Sequence, residues 1–400
     1  MADTIQIPSI EAATLTDVVR RVLSCDTAEV IGWEISPLTG GFSSTGVYRV
    51  SGHARMARGV LPWHVVLKTL RRDPVHDHAG DWHYWQREAL LYTAGILDSL
   101  PPGLRAPRCF WVEERSSEVV WLWLEMLSYP SAVRESRHWY FKVARKLGMF
   151  NGAYLQGHEL PSHSWLNGAW LRSFADWSTP AIAALPLHLH HPLVQRLWTP
   201  SLVTPLLQLW TARETLLNAV ERLPQTFCHR DVHSGNLFLQ PDPFGAEQAV
   251  AIDWAFAGRG AVGEDAAALL LSGISLFDLT PQEIVALDND LFAAYIDSLR
   301  VSGWAGDDRL VRLGYVASFA LRSSAKLIAN SVPMLLNSDE ETLDARCREV
   351  NGASLAEVLD HAAEVAAFTL VLGEEAHRLT QVIFGAPQRG PGVAGVPRGL

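Results

Sequence analysis

Short apolar segments dominate the first third of the chain. Each is rich in β-branched and aromatic residues and is bounded by glycine or proline, which is typical of β-strands. The predicted strands cover 30–37, 47–50, 65–70, 108–113 and 119–126. One helix is predicted among them, over 81–97. The run from Trp121 to Leu124 is apolar at every position, which predicts a strand covered on both faces.

The hydrophobic pattern changes to a helical period after residue 128. Val143, Leu147, Phe150 and Tyr154 are spaced 4, 3 and 4 residues apart, which places them on one helix face. Further helices are predicted at 284–295, 310–329 and 355–372, and short strands at 226–228, 237–239 and 250–253. The pattern therefore predicts an α+β protein with a small β-rich lobe, a hinge near residue 128 and a larger helical lobe.

The last fifteen residues, 386–400, contain four glycines and three prolines, which predicts a disordered tail. The two lobes are accordingly predicted to span residues 1–127 and 128–385.

Composition narrows the class of protein. The chain has 400 residues, of which 48% are hydrophobic and 19% charged, as expected for a globular protein. Its net charge of −10 argues against a protein that binds nucleic acid through its phosphates. The four cysteines form no CxxC pair, which excludes a disulfide scaffold and a thiolate zinc site. No segment has the pattern of a signal peptide or a membrane span, so a cytoplasmic protein is expected.

The segment from His229 to Asn236 carries the clearest chemical pattern. It reads H-x-D-x-x-x-x-N, and Asp253 follows 22 residues after Asp231. Phosphoryl transfer needs a carboxylate that orients the attacking hydroxyl and accepts its proton, which Asp231 can supply. It also needs hard oxygen ligands for Mg²⁺, which Asn236 and Asp253 can supply. A hairpin between the strands at 237–239 and 250–253 would bring Asp253 beside the loop that carries the other two.

With these residues the sequence resembles the aminoglycoside phosphotransferase and choline kinase branch of the protein-kinase-like fold. The resemblance runs from about residue 35 to about residue 271. The matching stretches are 229–238, 252–254 with Gly258 and Gly260, and 262–267. Two positions depart from the family pattern: Arg230 stands where many antibiotic kinases have glycine, and Asp265 is not followed by the usual leucine.

The resemblance implies a bilobal kinase-like fold in which residues 1–127 form a nucleotide-binding lobe and 128–385 a catalytic and acceptor-binding lobe. It implies ATP and Mg²⁺ as cofactors and transfer of the γ-phosphate to a hydroxyl group of a small molecule. By the same pattern Asp231 is the catalytic base, and Asn236 and Asp253 hold magnesium. Neither nucleic acid nor a membrane is expected as a partner, and the chain is expected to be a monomer or homodimer.

The N-terminal region offers candidates for nucleotide binding. The loop between two predicted strands at 38–48 is rich in glycine and hydroxyl side chains, whose turns and N–H groups can bind phosphate oxygens. Its candidate residues are Gly40, Gly41, Ser43, Ser44 and Thr45. Lys68 interrupts an apolar strand and needs an anionic partner, for which phosphates and Glu88 are the candidates. By resemblance, the carbonyl of Glu125 and the amide of Leu127 would meet the adenine edge.

Other residues leave alternatives open. Asp265 either caps the following helix or braces the loop at 229–236, where it could also touch substrate. Trp165, Trp170 and Trp177 fall where the family often builds its acceptor site, although a packing role is favoured for most of them. The histidines at 188, 190 and 191 have no matching carboxylate motif, which argues against a metal site.

Three functions remain in competition. A protein kinase is disfavoured because no Ala-Pro-Glu follows Asp253 and the segment 258–265 is too short to dock a peptide. A catalytically silent nucleotide-binding protein is disfavoured because all three core residues are present. A small-molecule kinase is favoured, with an aminoglycoside-like antibiotic as one acceptor and choline, sugars or sterol-like alcohols as others. The acidic net charge slightly favours a cationic acceptor, whereas the tryptophan-rich lobe suits a bulky apolar alcohol equally well.

Overall fold

The computed structural model describes residues 7–38, 46–127, 137–166, 168–242, 244–275 and 279–385. Its N-terminal elements are α1 (Ala12–Leu23), β1 (Glu29–Pro37), β2 (Gly46–Met56), β3 (Gly59–Arg71), α2 (Arg87–Thr93), β4 (Leu104–Arg105), β5 (Cys109–Ser116) and β6 (Val119–Leu124). Five of the strands form an antiparallel sheet in the order β1-β2-β3-β6-β5. All five predicted strands of this region are therefore present, and β2 and β3 are much longer than the pattern indicated.

The inner strand β6, between β3 and β5, is buried on both faces, as its apolar run predicted. Trp121 and Trp123 pack into a cluster that also contains residues of α1. Leu122 and Leu124 point the other way, into the large core that continues into the helical region. Because side chains alternate across a strand, a sheet between two apolar layers needs this uninterrupted run.

The helix predicted over 81–97 is much shorter than expected. Only Arg87–Thr93 is α-helical, followed by a 3₁₀ turn at Ile96–Asp98. Before it, the Asp81 carboxylate accepts the backbone N–H of His83 at 3.2 Å, a local side-chain bond that competes with helix formation. After it, Gly95 has a φ of 69°, which ends the helix.

Helices dominate the second region. They are α3 (Arg137–Leu155), α4 (Trp170–His188), α5 (Pro192–Leu197), α6 (Pro200–Thr211), α7 (Arg213–Glu221), α8 (Glu264–Ser275), α9 (Pro281–Val301), α10 (Asp308–Asn337), α11 (Glu340–Asn351) and α12 (Leu355–Phe384). The helices α4 to α7 were not predicted from the sequence. Pro180 and Pro186 inside α4 and Pro205 inside α6 obscure the helical period of those two. No helix in the described ranges is both long and apolar enough to cross a bilayer.

Four short strands frame the loops with the chemical motif. They are β7 (Gln225–Cys228), β8 (Leu237–Pro241), β9 (Glu247–Ala251) and β10 (Gly258–Ala261). Strands β8 and β9 form the predicted hairpin, β7 pairs with β10, and β4 joins β9 in parallel. The mixed α+β architecture is therefore as predicted. The hinge near residue 128 and the tail at 386–400 lie outside the described residues.

Candidate active site

The loop at 229–236 connects β7 to β8 and is fixed at its start by His229. The Nδ1 of His229 accepts the backbone N–H of Asp231 at 3.2 Å, so the proton of the neutral ring is on Nε2. That Nε2 lies 2.9 Å from the carbonyl oxygen of Ile252 and donates to it. Burial lowers the pKa of His229, which keeps the ring neutral. His229 therefore ties the loop to the end of β9, one residue before Asp253.

Asp231 and Asn236 meet across the same loop. The Nδ2 of Asn236 donates to Asp231 Oδ2 at 2.8 Å and to the Asp231 carbonyl at 3.2 Å. The amide oxygen of Asn236, on the other branch of the group, remains available as a hard metal ligand. Although burial opposes ionisation, the hydrogen bond and charge of His233 and the positive charge of Arg322 lower the pKa of Asp231 to about 2. Asp231 is thus an ionised carboxylate at neutral pH.

Lys68 lies between two carboxylates from separate segments of the chain. Its Nζ is 2.6 Å from Glu88 Oε2 and 3.0 Å from Asp253 Oδ1. Burial alone would lower the pKa of Lys68, but Asp253 and Glu88 hold it above its usual value. Glu88 is buried, and burial raises its pKa while Lys68 opposes the shift. The structure therefore brings together Lys68 and Glu88, as predicted, and adds Asp253 to the pair.

Asp253 itself has a left-handed backbone, with a φ of 59°, and Arg230 has a φ of 68°. Such a conformation costs a non-glycine residue roughly 1–3 kcal/mol, so the surroundings must impose it. Both residues lie in the segments that carry the predicted motif. Asp253 remains 38% exposed at its side chain, so its carboxylate can reach a ligand from the cleft.

Asp265 braces the loop at 229–236, which is one of the two roles that the sequence left open for it. One of its oxygens, Oδ1, accepts the backbone N–H groups of His229 at 2.9 Å and Arg230 at 2.8 Å. The other, Oδ2, accepts Asn151 Nδ2 at 3.2 Å, and the Asn151 oxygen accepts the Tyr295 hydroxyl at 2.7 Å. Since Asp265 is fully buried, it positions the loop and does not reach a substrate in the cleft.

Arg230 forms a buried ion pair. Its Nε donates to Glu264 Oε2 at 2.8 Å, and its Nη1 and Nη2 donate to the carbonyls of Phe256 and Arg259. The Arg230 and Glu264 side chains are 1% and 6% exposed. A side chain at Gly260 would collide with this pair, since its Cβ would lie 2.5 Å from Arg230 Nη2. The pair therefore joins the loop at 229–236 to the segment after Asp253.

The remaining predicted nucleotide residues are only partly described. Gly40, Gly41, Ser43, Ser44 and Thr45 lie outside the described residues. Glu125 and Leu127 follow β6, next to the large lobe. The Glu125 carboxylate is held by Arg105, at 2.7 and 3.1 Å, and the Glu125 N–H donates to the carbonyl of Arg108 at 2.8 Å, which leaves the main-chain carbonyl of Glu125 for a ligand.

The tryptophans divide between core and surface. Trp170 is buried and donates to the carbonyl of Trp82 at 2.8 Å, which is a packing role. Trp177 is 48% exposed and packs against Trp82 with ring centres 5.1 Å apart. Trp165 stacks on His163. Among the described residues, the group of histidines and carboxylates close enough for one metal ion is Asp73, His76 and His83, rather than the histidines near residue 190.

Two cationic residues near Asp231 were missed in the sequence. Arg322 and Lys326 lie one turn apart on α10. The guanidinium carbon of Arg322 is 4.7 Å from the centre of the Trp170 ring, and its Nη1 is buried without a hydrogen-bond partner in the described part of the chain. Burial lowers the pKa of Arg322 to about 10, although Asp231 opposes this shift. The sequence holds only a weak signal, in that Arg322 follows the mostly apolar run at 315–321 of a predicted helix.

Comparison with known proteins agrees with this fold. The sequence profile of the phosphotransferase enzyme family matches residues 34–307. No curated protein sequence matches the chain. Among solved structures, a choline kinase from Cryptosporidium parvum Iowa II is 11% identical, with 88% of this chain and 92% of that chain covered and a TM-score of 0.51.

An aminoglycoside phosphotransferase from Alicyclobacillus acidocaldarius is 13% identical over 94% of this chain and 99% of that chain, with a TM-score of 0.49. At 11% identity the likeness to the choline kinase concerns the fold alone, and it agrees with the predicted kinase-like architecture. The family match covers more than half of the sequence, so the chain belongs to the phosphotransferase enzyme family.

Proposed function

We propose that this protein transfers the γ-phosphate of ATP to a hydroxyl group of a small molecule. The observation that carries the proposal is that two groups of side chains lie beside each other, because Ile252, next to Asp253, donates its N–H to the carbonyl of Asn236 at 2.8 Å. One is the ionised Asp231 with Asn236, and the other is Lys68 with Glu88 and Asp253. A base, a pair of oxygen ligands and a buried cation are the parts that phosphoryl transfer requires.

Each residue has a distinct task in this proposal. Asp231 accepts a hydrogen bond from the acceptor hydroxyl, orients its oxygen and takes its proton. The Asn236 amide oxygen and the Asp253 carboxylate would hold Mg²⁺, and both are hard donors that suit this ion. When bound, Mg²⁺ would neutralise charge on the phosphate oxygens. Lys68 holds a phosphate oxygen, and Glu88 keeps the amine of Lys68 in place.

The nucleotide would lie against the N-terminal sheet. Gly40, Gly41, Ser43, Ser44 and Thr45 are proposed to bind its phosphates, and the main chain of Glu125 and Leu127 its adenine edge. In this proposal residues 1–127 are the nucleotide-binding lobe and residues 128–385 the catalytic and acceptor-binding lobe. A protein kinase fits less well, because α8 begins at Glu264, eleven residues after Asp253, and leaves little chain to dock a peptide.

The direct test is a screen of the purified protein with Mg²⁺, ATP and a mixed library of small alcohols, read by the mass added by one phosphoryl group. A phosphorylated product that depends on ATP and on Asp231 is expected. If ATP is bound but no alcohol in a broad library gains a phosphoryl group, a silent nucleotide-binding protein becomes the better explanation.

The charges around Asp231 bear on the choice of acceptor. The guanidinium of Arg322 and the amine of Lys326 both interact electrostatically with Asp231. An aminoglycoside, which carries several positive charges, would be repelled by these two cations close to the base. They favour an acceptor that carries an anionic group near its hydroxyl, such as a hydroxy acid or a phosphate ester.

We therefore expect anionic alcohols to outnumber amines among the phosphorylated compounds. Arg322→Gln should raise the KM for an anionic acceptor by about 10-fold or more, because a charge-assisted hydrogen bond is worth roughly 1.5–3 kcal/mol. Steady-state kinetics at saturating ATP would measure it. Arg222→Gln is a matched control, since Arg222 packs on Phe384 instead of Trp170. The proposal of an anionic acceptor would be contradicted if aminoglycosides were phosphorylated efficiently and Arg322→Gln left the KM for the acceptor unchanged.

Lys68→Met should raise the KM for ATP and lower kcat, because the amine acts on phosphates whose charge shifts during transfer. Glu88→Gln should have the same effect more weakly. Since Nζ and Oε2 are 2.6 Å apart, the double variant should lose less than the sum of the two single losses. Kinetics of all three variants would check this, with Lys142→Met as control, since Lys142 is half-buried and pairs with Glu247. Strict additivity would show that the two side chains do not act as a unit.

A further inference from the structure

A second polar cluster lies outside the proposed catalytic groups, in the segment that joins β3 to α2. Asp73, His76 and His83 each offer one ligand atom, and these atoms lie within 4.8 Å of one another. His76 is buried, and the other two are half-buried. Imidazole nitrogens combined with a carboxylate oxygen form a donor set that suits Zn²⁺ and related transition metals far better than Mg²⁺.

The two rings have a separation that suits a shared ion. Their centres are 5.4 Å apart and their planes are inclined at 69°. An imidazole bound to zinc at about 2.0–2.1 Å has its ring centre roughly 3.2 Å from the ion, so two such rings at a tetrahedral angle have centres about 5 Å apart. Small side-chain rotations would therefore bring both nitrogens to bonding distance.

The neighbouring groups prepare the ligands for a metal. Asp81 Oδ1 lies 2.9 Å from His76 Nδ1, which leaves Nε2 of that ring for an ion. This carboxylate–imidazole contact is the usual support of a metal-bound histidine, because it fixes the tautomer and the ring orientation. Asp73 Oδ1 accepts the N–H of Val75 at 2.9 Å, which leaves its other oxygen as the ligand.

We propose that Asp73, His76 and His83 bind one Zn²⁺ ion, with water as the fourth ligand. The proposal does not depend on the kinase activity. The ion would tie the end of β3, which carries Lys68, to the chain that precedes Glu88 in α2. The His83 ring is also in contact with Phe256, in the turn that follows Asp253, with ring centres 5.4 Å apart. Zinc would thus stiffen the segment beside the proposed active site.

The test uses full-length protein freed of metal with EDTA and titrated with ZnCl₂ in a calorimeter. One ion per chain is expected for the wild type and for His64→Gln, a control on the exposed side of β3. His76→Gln and His83→Gln should each lose at least 10-fold in affinity. Asp81→Asn should lose about 10-fold, because it removes only the supporting carboxylate. Asp253→Ala should bind zinc normally, which separates this site from the proposed magnesium site.

Thermal unfolding supplies a second readout that does not need catalytic turnover. Zinc should raise the Tm of the wild type and of His64→Gln but not that of His76→Gln or His83→Gln. In EDTA the wild type and the three histidine variants should unfold at similar temperatures. If either His76→Gln or His83→Gln lowers the Tm in EDTA, Asp73→Asn serves as an independent variant. The proposal would be overturned if the wild type bound no zinc, or if the variants at His76, His83 and Asp73 bound zinc as the wild type does. His76 and Asp81 would then be an ordinary hydrogen-bonded pair.

Discussion

Replacing Asp231 with asparagine is expected to lower kcat by about 10²–10⁴, the usual loss when a general base is removed. The substitution keeps the shape of the side chain but removes the charge that would accept the proton. Affinity for Mg·ATP should stay within a few-fold, because the proposed metal ligands are Asn236 and Asp253. Steady-state kinetics with the acceptor from the screen and calorimetry with Mg·ATP would measure the two effects separately.

A matched control for this variant is Asp360→Asn, which changes an exposed carboxylate on α12. It should retain wild-type kcat. Because the pKa of Asp231 is about 2, its carboxylate is ionised throughout the ordinary pH range, and kcat should show no acidic limb from this residue above about pH 4. If Asp231→Asn keeps wild-type kcat, the base must be another group.

The second large effect concerns stability. Glu264→Gln is expected to destabilise the protein by roughly 3–5 kcal/mol, because it leaves the buried guanidinium of Arg230 without its charge partner. The Arg230→Met/Glu264→Gln double variant should lose less than the sum of the single variants, since the stranded charge is then gone. Urea denaturation followed by circular dichroism would report the change in midpoint at a constant slope.

An exposed ion pair provides the comparison. Arg196 and Glu340 are 2.7 Å apart but 42% and 65% exposed, so Glu340→Gln should cost less than about 1 kcal/mol. Similar losses for Glu340→Gln and Glu264→Gln would mean that burial adds nothing to the Arg230–Glu264 pair. Activity should fall along with stability in Glu264→Gln, because Arg230 holds the loop at 229–236 against the segment after Asp253.

Most strands of the N-terminal sheet could be predicted because each is a compact run with a strong local signal. The clearest case is Trp121 to Leu124, whose unbroken apolar run requires cover on both faces. The prediction of a helix over 81–97 was too long, because the Asp81 carboxylate bonds to the backbone in a turn that a periodic pattern does not reveal. The helices α4 and α6 went unnoticed because internal prolines, which usually end helices, obscure their period.

The sequence by itself determined the chemical repertoire: a carboxylate, an amide and a second carboxylate at the family's spacing, with a lysine inside an apolar strand. Spacing is a local property, and the chain between Asp231 and Asp253 is short enough for one hairpin to bring them together. Only the tertiary structure decided that Asp265 braces the loop, because its partners His229 and Asn151 come from distant segments.

The structure alone also revealed Arg322 near Asp231 and the cluster of Asp73, His76 and His83. A sequence does not show which groups surround a cation on a helix or a histidine in a loop, and each of these is most often an ordinary surface residue. Burial and neighbouring charge give these groups their chemistry, and both depend on which segments pack together. Long-range packing is what a single sequence does not specify residue by residue, since many apolar arrangements satisfy the same hydrophobic pattern.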